Sequence, residues 1–65
     1  MTEIKIQTPM LTYRFEEDGG VDDWTDCFKS LLDNKKDYVD DYDNKAVIIP
    51  YSVLKKSIIT IINLK

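Results

Sequence analysis

Residues 11–32 read LTYRFEEDGGVDDWTDCFKSLL, and within them the hydrophobic period changes. Leu11, Tyr13 and Phe15 alternate with polar residues, the period of two of a half-buried strand. Glu16-Glu17-Asp18-Gly19-Gly20 then interrupts the pattern, and its two glycines permit backbone angles other residues avoid. Beyond them Val21, Trp24, Cys27, Phe28, Leu31 and Leu32 recur at helical spacing. At ~100° per residue they fill an arc of roughly 140°, suited to a core-facing stripe. Asp22 and Asp23 occupy the first turn, where the helix dipole favours negative charge. Lys35 falls on the apolar arc, so the helix is predicted to end between Asn34 and Asp37. Cys27, on the stripe, is expected to be a small buried hydrophobe rather than a nucleophile.

Upstream, Glu3–Thr8 alternates with Ile4 and Ile6 on one face, and Pro9 suits a turn before the next strand. A first β-hairpin follows. Downstream, Asp37–Lys45 reads as an acidic, tyrosine-bearing loop. Ala46–Pro50 reads as a buried strand stopped by Pro50, and Tyr51–Leu54 as a turn or one helical turn. Ser57–Leu64 contains Ile58, Ile59, Ile61 and Ile62, whose branching at Cβ favours a strand. A rival reading starts a helix at Pro50 with Tyr51, Leu54, Ile58 and Ile62 on one face. The predicted order is β-β-α-β-β. This is a single small α+β domain over residues 1–65, with one amphipathic helix on a small, mostly antiparallel sheet. The final strand is apolar on both faces, and one helix covers only one of them. A second copy is therefore a candidate partner, with Ile59 or Ile61 facing it.

Charge is divided unevenly. Between Glu16 and Asp43 eleven acids face three lysines, a net of −8. The rest sets Glu3 against Arg14 and five lysines, a net of +5. With 65 residues the core is small, and one cysteine gives no internal disulfide. A free thiol suits a reducing cytosol. The start lacks the basic-then-apolar pattern of a signal peptide, and the apolar runs are too short to cross a bilayer.

Catalytic groups are scarce. There is no histidine, and Gly19-Gly20 is not a phosphate-binding loop. No cofactor is expected. Asp37, Asp40, Asp41 and Asp43 offer oxygen ligands, but Lys45 stands where a calcium loop places an acid and no glycine follows, so no metal site is expected. The basic residues are scattered, which argues against direct nucleic-acid binding.

The acids hold more information. Asp22, Asp26, Asp33 and Asp37 fall within about 60° on a helical wheel and span roughly 22 Å if the helix reaches Asp37. Carboxylates along a ridge resemble the charge repeat of a nucleic-acid strand, whose phosphates lie a few ångströms apart. The bland alternative is a solvated face with ordinary helix pairs from Asp26 to Lys29 and from Asp33 to Lys36. Asp40, Asp41 and Asp43 extend the acidic surface, and Tyr38 and Tyr42 are expected as contact anchors. The expected function is a non-enzymatic module that docks this surface on the basic surface of a larger protein. Its concrete form is an inhibitor seated in the groove of a nucleic-acid enzyme, as small acidic phage or mobile-element proteins can be. The alternative is an assembly protein that acts by homo-oligomerisation through its apolar C-terminal strand.

Overall fold

The computed structural model describes residues 1–42 and 44–64, without the side chains of Tyr42 and Lys45. Strands β1 (Thr2–Gln7) and β2 (Thr12–Glu17) form the expected hairpin. Thr8 builds its turn. The Thr8 hydroxyl accepts from the backbone N–H of Leu11 at 3.0 Å and donates to the Leu11 carbonyl at 2.6 Å. Helix α1 (Val21–Asp33) follows, then β3 (Tyr38–Tyr42), β4 (Lys45–Ile49), the single helical turn α2 (Tyr51–Leu54) and β5 (Ile58–Asn63).

Two antiparallel sheets result. One has the order β2-β1-β5 and the other is the hairpin β3-β4. β1 is central, with Ile4 opposite Phe15 on one side and Ile61 on the other. The period of two therefore sends Thr2, Ile4, Ile6, Phe15, Ile59 and Ile61 to one face. Thr2, Ile4 and Ile6 are fully buried there, and each isoleucine contributes roughly 1.5–3 kcal/mol on leaving water. The Thr2 hydroxyl donates to the Gly19 carbonyl at 2.7 Å, so its burial leaves the hydroxyl satisfied.

The α+β class and the expected elements are present, and the hairpin adds a strand. Tyr38–Tyr42 is β3, not a loop. Two aspartates disfavour a strand by propensity, but Tyr38 buries opposite Ile49, and packing outweighs propensity in a sheet. The rival helix from Pro50 stops after one turn, and the segment from Ile58 is a strand.

A row of aromatic rings joins the layers. Trp24 lies 6.3 Å from Phe28, Phe28 4.9 Å from Tyr38, Tyr38 6.1 Å from Phe15, and Phe15 6.4 Å from Tyr13. Ile49 and Leu54 close the core beside them. Cys27 is exposed rather than buried. It lies roughly 40° beyond Leu31 on the helical wheel, outside the arc centred on Phe28 that meets the sheet.

Both ends of α1 are defined by backbone geometry. Gly19 has φ +110°, and a Cβ there would lie 3.1 Å from the Trp24 indole nitrogen. That nitrogen donates to the Asp18 carbonyl at 2.9 Å, so the indole closes over the glycine turn. At the other end Lys36 N–H donates to the Leu31 carbonyl at 2.9 Å and Lys35 N–H to the Leu32 carbonyl at 3.3 Å. This pair of bonds is a Schellman cap, with Lys35 at φ 54° where glycine is usual.

Candidate functional site

α1 sets three carboxylates on its solvent side. Asp22, Asp26 and Asp33 are all exposed. They lie within about 40° on the helical wheel and along about 16 Å of helix axis. Asp23 is also exposed in the first turn, and Asp18 precedes it in the glycine turn.

The rest of the expected surface divides. Because α1 ends at Asp33, Asp37 is off the helix and the 22 Å row is shorter than expected. Its Oδ1 instead accepts from the backbone N–H of Tyr51 at 2.6 Å, which fixes the start of α2 against the start of β3. Tyr38 is 4% exposed, so its ring is core and unavailable as an anchor. Tyr42 ends β3, Asp41 is exposed on β3, and Asp43 lies outside the described residues.

Asp40 turns inward with Tyr38, since both share a face of β3. Its Oδ2 is buried without a hydrogen-bond partner among the described residues. Glu17, at the end of β2, shares this polar corner. Burial first, then the neighbouring Asp40, then the charge of Asp18 hold the Glu17 carboxyl above its usual 4.5. Burial, followed by the charges of Asp40 and Glu17, likewise keeps the Tyr38 hydroxyl protonated far above the ordinary tyrosine range. Two carboxyls beside a core tyrosine thus mark where the hairpin meets the three-stranded sheet. An open groove of about 330 Å³ lies against the same strand, lined by Arg14, Phe15, Glu16 and Glu17. Among the described residues, no three Cys, Asp or Glu side chains are grouped to hold a metal ion.

Two apolar surfaces accompany the acidic one. Val39 and Ile48 are cross-strand partners on the outer face of the β3-β4 hairpin, 58% and 60% exposed. Ile58 and Ile62 lie on the outer face of β5, 66% and 42% exposed. The inner positions Ile59 and Ile61 pack against the core, so they are not the outward residues of this strand. The uninterrupted apolar run from Ile58 to Ile62 was a sequence signal for the β5 surface. Nothing marked Val39, because Asp40 and Asp41 masked the alternation.

The chain matches no protein-family model, no curated protein and no solved structure. Among the described residues, no helix is long and apolar enough to cross a membrane.

Proposed function

We propose that this is a small, non-enzymatic, cytosolic binding protein that docks the acidic side of α1 on a basic surface of a larger protein. Its concrete form is an inhibitor of phage or mobile-element type, seated in the groove of a nucleic-acid enzyme. The supporting observation is the exposure of Asp22, Asp26 and Asp33 along one side of α1. Clustered charge accelerates encounter with an oppositely charged groove and makes it sensitive to salt. Asp41, Asp23 and Asp18 add charge at the margins. Tyr38 now belongs to the core, and Asp37 to the start of α2. The test is recovery of a partner from lysate at low salt and its loss at high salt. In parallel, Asp22→Lys with Asp26→Lys should abolish the capture through a slower on-rate. Undiminished capture by that double variant at low salt would remove α1 from the interface.

A second reading is self-association through β5. It is favoured by the apolar outer face of that strand, where Ile58 and Ile62 are exposed.

A further inference from the structure

β5 is the outermost strand of its sheet, and its far edge has no partner strand among the described residues. Resting on the self-association reading, we infer that two copies pair β5 edge to edge, antiparallel, about a two-fold axis at Thr60, giving a continuous six-stranded sheet.

Three observations support the pairing. First, the two edges of the sheet are treated differently. β2 carries Arg14, Glu16 and Glu17, the charged protection by which edge strands avoid pairing. β5 reads IITIIN and has no charge along its length. Second, Ile58-Ile59-Thr60-Ile61-Ile62 reads the same in both directions. A two-fold axis at Thr60 therefore sets Ile58 against Ile62 of the second copy, Ile59 against Ile61, and Thr60 against Thr60. Isoleucine meets isoleucine on both faces, a threonine pair forms at the centre, and no like charges are opposed. Third, the outward residues of this strand are the exposed Ile58 and Ile62, which the pairing sets side by side with their counterparts on the outer face, while Ile59 and Ile61 extend the existing core across the axis.

The geometry also sets the salt dependence. α1 packs against β5. A two-fold axis normal to the sheet keeps both copies of α1 on one face, so the two acidic helices flank the join. Their repulsion opposes pairing at low ionic strength, and added salt should strengthen it. Docking on a basic partner has the opposite salt dependence.

The experiment combines mass and cross-linking. Sedimentation equilibrium of the wild-type chain should show a mass rising with concentration to twice its 7.6 kDa, at lower concentrations in high salt. In a Cys27→Ser background, Thr60→Cys should form a covalent dimer under mild oxidation, because opposed Cβ atoms lie about 5 Å apart. Ile58→Cys alone should cross-link at least tenfold more slowly, since its two copies are offset by about 13 Å. Mixing Ile58→Cys with Ile62→Cys should restore the cross-link between the two variants, an independent check if Thr60→Cys does not fold. A chain monomeric at every concentration overturns both the pairing and the self-association reading. A dimer that cross-links Ile58 to Ile58, or that lacks the mixed cross-link, overturns the edge pairing and leaves association through another surface.

Discussion

The rings of Phe28 and Tyr38 lie 4.9 Å apart and tie the helix to the hairpin β3-β4. Tyr38 also approaches Phe15 on β2, so one side chain joins three elements, its own strand β3, α1 and β2. Tyr38→Ala should cost about 3–5 kcal/mol, the usual loss for a buried aromatic ring. Tyr38→Phe keeps the ring contacts and should cost far less. Urea denaturation of both variants measures the difference, and equal losses would mean that the ring is not what holds the hairpin.

Gly19 adopts φ +110° beneath the Trp24 indole. Gly19→Ala adds both backbone strain and a contact at 3.1 Å, and should destabilise the fold by about 1–3 kcal/mol. Trp24 fluorescence should shift as the indole is displaced. An unchanged spectrum with unchanged stability would contradict this account of the turn.

Lys35 occupies the left-handed position of the α1 cap. A side chain there costs about 1–2 kcal/mol that glycine avoids, partly offset by the greater freedom of glycine in the unfolded chain. Lys35→Gly should therefore raise stability by up to about 1 kcal/mol, read from the thermal midpoint. Lys35→Val, branched at Cβ, should lower it.

Glu17 titrates above its usual 4.5 because it is desolvated and lies beside Asp40. Folding thus favours its protonated form. The resulting penalty is absent below pH 4.5, grows as pH rises through the raised value, and is complete above it. Glu17→Gln should stabilise the protein at pH 7 and lose that advantage on acidification below 4.5. Asp40→Asn should lower the Glu17 pKa, as measured by NMR titration. A Glu17 pKa indifferent to Asp40 would dissociate the two groups.

The elements that read clearly in the sequence are those whose side chains follow one period. Ile4 and Ile6, Tyr13 and Phe15, and Trp24, Phe28, Leu31 and Leu32 of the helical stripe each face one environment, so pattern and burial coincide. β3 was hidden because its inward face alternates an aromatic with a carboxylate. Tyr38 enters the core and Asp40 follows it on the same side, a combination that polarity alone reads as a loop. Cys27 failed for a geometric reason, since the sheet meets a narrower arc of α1 than the apolar residues span. Of the candidate site, the carboxylates on α1 were legible from spacing. The end of the helix at Asp33, which removes Asp37 from the row, depended on the left-handed Lys35 and the cap bonds.

The central position of β1 has a consequence for the order of assembly. Its ladder to β5 runs from Gln7–Ile58 to Thr2–Asn63, so each contact closes a loop of more than fifty residues. During synthesis β1 emerges early and has only β2 beside it, and a lone two-stranded hairpin is marginal in water. Its second edge stays vacant until β5 arrives. In that interval the β5 of another molecule is as good a neighbour as its own, so a crowded nascent population risks exchanging this strand between chains.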